Sequence, residues 1–238
     1  MMRWSKKTDF LSIRYPLMAF LIFLCFIQLM PQVFITSSQM DTQLPPSADN
    51  DIYFWMQLVA YVFIALIVCF YFEETFRTPS AHYIGTFKLG TFRTVFLRYV
   101  RLLFIMEIIY LPFVYICIFR ANKNIRYNME FFGSVFELID PLKPIFQCSV
   151  FMLFAVTSAM FFMALLKNKV YVIVLTLVIC IMEIRAFPIL FDKYTLFRGA
   201  TMPRADYFSF FPENVLSLFV LSFIFLMLTL ILHRFNKT

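Results

Sequence analysis

Polar and apolar residues along this chain sort into long blocks rather than into a short-period alternation. Nearly uninterrupted apolar runs cover about 15–36, 52–72, 102–119, 144–166, 170–191 and 215–232. Each approaches the roughly 20 residues a helix needs to cross a bilayer. A membrane β-barrel would instead show segments of about 10 residues in strict alternation. The pattern predicts an all-α integral membrane protein: six transmembrane helices in a single transmembrane domain over 1–238, with no separate soluble domain. Ahead of the first span, residues 1–14 carry Arg3, Lys6, Lys7 and Arg14, and a helix there would set Trp4, Leu11 and Tyr15 on one face. An N-terminal interfacial elbow helix follows from that arrangement. A plain basic tail is the competing reading, because Phe10 and Ile13 sit off that face. Pro16 would then open the first span, where a proline is tolerated. A cleaved secretory signal fits poorly, since the apolar run is too long and no A-x-A-like site follows it.

Composition agrees with the blocks. With 62% hydrophobic and 15% charged residues and a mean hydropathy of +0.80, the chain lies outside the range of soluble domains.

The charges then orient the spans. Residues 72–101 are the longest polar stretch in the first half, carrying Arg77, Lys88, Arg93, Arg98 and Arg101 against Glu73 and Glu74. Residues 37–51 hold Asp41, Asp49 and Asp51, with Pro45 and Pro46 and no Lys or Arg. Basic loops beside a span face the cytoplasm. Placing both termini inside puts thirteen of the 21 basic residues there, including Lys167, Lys169, Arg234 and Lys237. The other eight, Arg120, Lys123, Arg126, Lys143, Arg185, Lys193, Arg198 and Arg204, fall outside. Expected localisation is the cell membrane, multi-pass, with N- and C-termini cytoplasmic. The net charge of +7 reads as topogenic and lipid-facing, not as a nucleic-acid footprint.

Several chemistries are poorly served by this residue inventory. Cys25, Cys69, Cys117, Cys148 and Cys180 lie in or at the edge of apolar spans, never as C-x-x-C, and read as small apolar fillers. Two histidines, His82 and His233, supply too few nitrogen ligands for a metal site, and no H-E-x-x-H occurs. The four glycines, Gly85, Gly90, Gly133 and Gly199, are too scattered for a phosphate-binding loop or a dinucleotide fingerprint. No cofactor is expected on this chain.

Within the central stretch, Thr78 suits a helix N-cap and Pro79 a first helical position, with Gly85 or Gly90 able to end the helix. A short cytoplasmic helix over 79–89 is expected, presenting His82, Tyr83 and Lys88 to a cytosolic partner. An amphipathic linker held by lipid headgroups is the other reading.

Six spans with both ends inside, a basic N-terminal elbow and a first cytoplasmic loop opening on acidic residues resemble the permease subunits of ABC-2-type ABC transporters. Glu73-Glu74-Thr75-Phe76-Arg77-Thr78 and Arg98-Tyr99-Val100-Arg101 occupy the places of that family's acidic residues, threonine-rich turn and basic entry into span three. The spans here are unusually rich in phenylalanine, with 34 in the chain, where the family favours Gly, Leu and Ala.

The resemblance implies a non-catalytic permease that pairs with a second permease subunit, identical or paralogous, and with cytosolic ABC ATPase subunits that hold ATP and Mg. Glu73, Glu74, Arg77, Thr78, Pro79, Ser80, His82, Tyr83 and Lys88 become candidates for coupling to the ATPase. Motion of the short helix would rock spans one, two and five. Outward transport of a hydrophobic or amphipathic compound, such as a peptide or a lipid-like molecule, is the expected activity. Alternatives are a bacteriocin-immunity-like membrane protein and an intramembrane CAAX-type protease. For the protease, Glu73-Glu74 followed by Arg77 is one residue short of E-E-x-x-x-R, and His82 and His233 sit in the wrong contexts.

Inside the spans, Glu107 is the most informative charge, because a mid-span carboxylate needs a partner, a cavity or a proton. A hydrogen bond to another span and a place on a substrate path both remain open for it. Gln28, Gln57 and Gln147 suit hydrogen bonding between helices, and Gln28 and Gln147 join Glu107 as substrate-path candidates. Glu183 and Arg185 lie nearer the outer end of span five and, two residues apart, do not face each other. Phe and Met read chiefly as lipid-facing or packing residues.

Overall fold

A computed structural model describes residues 2–29, 47–76, 91–132, 138–185 and 212–235. They form six helices: α1 (Met2–Leu29), α2 (Ser47–Phe76), α3 (Thr91–Phe132), α4 (Leu142–Leu166), α5 (Lys169–Arg185) and α6 (Pro212–Phe235). Among the described residues, four segments are long and apolar enough to cross a membrane: Met56–Glu73, Arg93–Lys123, Leu142–Leu166 and Pro212–His233. The protein is an all-α membrane protein. The apolar part of α1, Ile13–Gln28, and the 17 residues of α5 are shorter, spanning about 24–26 Å at the helical rise.

Helix α4 is the hub. It packs on α6, α2, α3 and α5, while α2 also carries α1. Burial agrees, since more than half of the residues of α4 and of the α2 span are enclosed, whereas most of α3 and α6 are not. Small residues make that enclosure possible: Ala155, Ser158 and Ala159 are buried on α4, and Ala60 and Ala65 on α2. Large apolar side chains such as Phe104, Ile108, Phe219 and Phe223 stay exposed on the outer helices, as lipid-facing positions do.

Neighbouring contacts show that the helices alternate in direction. Phe20 and Phe23 of α1 meet Phe63 of α2 at 5.5 and 5.7 Å between ring centroids, while Gln28 reaches Met56, so the two run antiparallel. The C-terminal ends of α2 and α6 meet where Phe76 packs edge-on against His233, 5.7 Å between centroids. The start of α3 and the tight α4–α5 turn lie at that same end, through Arg98 and Lys169.

Two expectations change. The elbow over 1–14 is not a separate helix, because α1 runs unbroken from Met2 through Pro16 to Leu29. Its buried stripe of Ile13, Leu17, Phe20, Leu24 and Ile27 begins before the proline, so packing carries the helix across the missing N–H rung. The third span is longer than 102–119: α3 extends over 42 residues, about 63 Å. Arginines at positions 93, 98 and 101 read as loop residues but are helical, with Arg98 partly buried against α2 and the other two exposed. What separates α2 from α3 is therefore 77–90 only, and the short helix expected over 79–89 lies outside the described residues.

Candidate functional site

The last turn of α2, the first turns of α3 and the α4–α5 turn converge at the basic end. Arg98 donates to Thr75 Oγ1 at 2.6 Å and to the Tyr71 carbonyl at 2.7 Å. Its guanidinium also lies over the Tyr71 and Phe72 rings, 5.0 and 5.6 Å from their centroids. A cation at the C-terminal end of α2 meets the negative pole of that helix. Lys169, in the first turn of α5, pairs with Glu73 at 2.5 Å and sits 4.2 Å from the Phe70 ring centroid. Both partners are partly exposed, so the pair contributes at most about 1 kcal/mol and acts mainly to fix register.

The α4–α5 turn that delivers Lys169 is two residues long. Lys167 adopts the left-handed conformation at φ 53° and returns its N–H to the Met163 carbonyl at 3.0 Å. Asn168 then caps α5, its Oδ1 accepting from the Val170 N–H at 3.0 Å. Glu73 thus joins a helix hairpin far away in sequence. Of the other coupling candidates, Glu74 lies on α2 with its side chain outside the description, and Arg77, Thr78, Pro79, Ser80, His82, Tyr83 and Lys88 lie outside the described residues.

At the opposite end a second clamp ties α1 to α3. Arg120 donates to the Gln28 carbonyl at 3.0 Å, while Gln28 Nε2 reaches Cys117 Sγ at 3.0 Å and Met56 Sδ at 3.6 Å. Gln28 therefore joins three helices. Asn122 exchanges two hydrogen bonds with the backbone of Ile139, fixing the approach to α4.

Between the clamps, polar side chains meet inside the bundle. Tyr61 Oη and Ser158 Oγ are 3.3 Å apart, within hydrogen-bond distance, and the Ser158 hydroxyl also lies 3.2 Å from the Ala155 carbonyl of its own helix. Gln57 reaches Cys148 Sγ at 3.9 Å. Glu183 lies toward the C-terminal end of α5, as expected, and is buried in the bundle. Glu107 accepts from Ser149 at 3.2 Å on the α3–α4 seam. Ser149 and Ser158 are nine residues apart, two and a half helical turns, which sets them on opposite faces of α4. The two carboxylates consequently belong to different sites. Gln147 is half-buried on α4 without a hydrogen bond among the described residues.

Sequence reasoning singled out Glu73, Glu107 and Gln28 but not their partners Lys169, Ser149 and Cys117. A polar residue in an apolar run announces itself, whereas the residue opposite depends on helix rotation and tilt. Cysteines read as fillers also turn out to accept hydrogen bonds, at Cys117 and Cys148. Comparison with protein-family models, with curated proteins and with solved structures finds no match to this chain.

Proposed function

We propose that the chain is the permease subunit of an ABC-2-type ABC transporter, crossing the membrane six times with both termini and residues 77–90 in the cytoplasm. The observation that carries this reading is the convergence at the basic end. Arg98, Glu73 and Lys169 join α2, α3 and the α4–α5 turn at the root of the 77–90 segment, beside the contact of Phe76 with His233 of α6. A push delivered to that segment reaches five packed helix ends at once. Such an arrangement suits a chain driven by an external motor. Cytosolic ATPase subunits would hold ATP and Mg, a second permease subunit would complete the pathway, and the cargo would be a hydrophobic or amphipathic compound moved outward.

The intramembrane protease alternative asks Glu73 or Glu74 to act as a base. Glu73 is instead ion-paired with Lys169, and no observation among the described residues favours proteolysis.

The test is to purify the tagged chain from its native membrane in mild detergent. A co-eluting ATPase whose association or stimulation falls when Tyr83 or Lys88 is replaced, with insertion of the chain unchanged, is the expected result. ATP hydrolysis by the isolated chain would overturn the reading, as would ATP-independent cleavage of a membrane substrate that disappears in Glu74→Gln.

A further inference from the structure

Glu107 lies on α3 nine residues after Arg98 and thirteen before Arg120, the two arginines that clamp this helix to α2 and α1. Those intervals correspond to about 14 and 20 Å of helix, which sets the carboxylate at hydrocarbon depth. It is half-buried, and its one polar contact among the described residues is the hydroxyl of Ser149. No described Lys, Arg or His pairs with it. Glu183, by comparison, is sealed inside the bundle.

A carboxylate at that depth without a countercharge is strongly unfavourable, and is neutralised either by a proton or by a cation arriving from elsewhere. The route of arrival is set by its neighbours. One helical turn before Glu107 and beside it, Phe104 and Ile108 are exposed; one turn before Ser149, Phe146 is exposed and Ile145 half-buried. All four are apolar. A hydrated inorganic cation has no path along such a seam, whereas an organic cation already dissolved in the bilayer does. Its charge would meet Glu107 while its apolar body lay along the α3–α4 seam, beside the exposed ring of Phe104.

We infer that Glu107, assisted by Ser149, is a bilayer-facing binding point for lipophilic cations. The inference rests on the permease reading only in making that cation a cargo; the binding itself needs neither ATP nor a partner. The probe is tetraphenylphosphonium, measured by equilibrium dialysis against the purified full chain in nanodiscs of zwitterionic lipid, with empty nanodiscs as background. Saturable binding is expected, weakened by about tenfold or more in Glu107→Gln through loss of the ionic contact and unchanged in Glu213→Gln at the exposed start of α6.

A second measurement leaves the protein unmutated. Dicyclohexylcarbodiimide takes up the proton of a membrane-embedded carboxyl on one nitrogen, the carboxylate oxygen bonds its central carbon, and an O-to-N acyl shift gives a stable acylurea with nothing expelled. Mass spectrometry should find this adduct at Glu107 and find it suppressed by tetraphenylphosphonium. Absence of saturable binding, equal binding by Glu107→Gln, or labelling at Glu107 that the cation does not suppress would each overturn the site. A chain that binds the cation through Glu107 but recruits no ATPase keeps the site and loses the permease reading, and the converse result does the opposite.

Discussion

Arg98 concentrates more interactions than any loop arginine would. Two hydrogen bonds and two aromatic faces hold it, and one acceptor is a backbone carbonyl in the closing turns of α2. Arg98→Ala should lower stability by about 2 kcal/mol, and Arg98→Lys should recover part of that, because an ammonium cannot span both acceptors as the planar guanidinium does. The protein carries its own reporter for the measurement. Cys69, Cys117, Cys148 and Cys180 are buried thiols outside any disulfide, so a thiol-reactive fluorogenic dye follows thermal unfolding in detergent as the rise above the signal of the exposed Cys25. The same assay separates two neighbours in the α4–α5 turn. Lys167→Gly should raise stability by about 0.5 kcal/mol by relieving a left-handed backbone, and Asn168→Ala should lower it by about 1 kcal/mol by removing the cap of α5. An equal effect of the two changes would contradict the geometry of that turn. At this scale the sequence is informative about which residue is unusual and silent about its partner. Gln28 stands out in an apolar run, but that it meets Cys117 and Met56 follows only from how α1, α2 and α3 are rotated.

Helix α4 shows what the apolar blocks reveal and what they conceal. Its span was legible almost to the residue, 144–166 expected and Leu142–Leu166 observed, because Lys143 and Lys167 bracket the apolar run. Its central position was not legible. An outer helix in lipid is as apolar as an inner one, so hydropathy does not distinguish the hub from the rim. Size does. Buried positions of α4 include Ala155, Ser158 and Ala159, where backbones approach closely, whereas α6 exposes Phe219 and Phe223. Ala159→Leu should therefore cost about 1–3 kcal/mol by overpacking, while Phe219→Leu on the exposed face of α6 should leave the melting curve in place. Matching shifts in the two variants would remove α4 from the centre. The basic ends of helices misled in a different way: charges at 93, 98 and 101 look like a loop, but a helix end that satisfies an arginine keeps it helical.

For the whole molecule, the contacts fix which helix ends lie together, and charge supplies the orientation. The segments around Arg98 and Lys169 share one end with the C-terminal turns of α2 and α6, while Gln28, Arg120 and the start of α4 lie at the other. In the proposed orientation, which follows the charge bias, the first end faces the cytoplasm. Helix α4 permits a clean test, since its 25 residues extend about 37 Å, more than the hydrocarbon thickness, and Lys143 in its first turn and Lys167 just beyond its end are both exposed. In a background lacking the five native cysteines, Lys143→Cys should react in intact cells with an impermeant maleimide, as should Ser47→Cys at the start of α2. Lys167→Cys and Thr94→Cys should react only after the membrane is opened. Reaction of positions 167 and 94 in intact cells, with 143 and 47 silent, would invert the protein and place residues 77–90 where no cytosolic ATPase can reach them. Reaction of 143 and 167 from the same side would instead show that α4 does not cross, and the bundle would have to be reoriented in the bilayer.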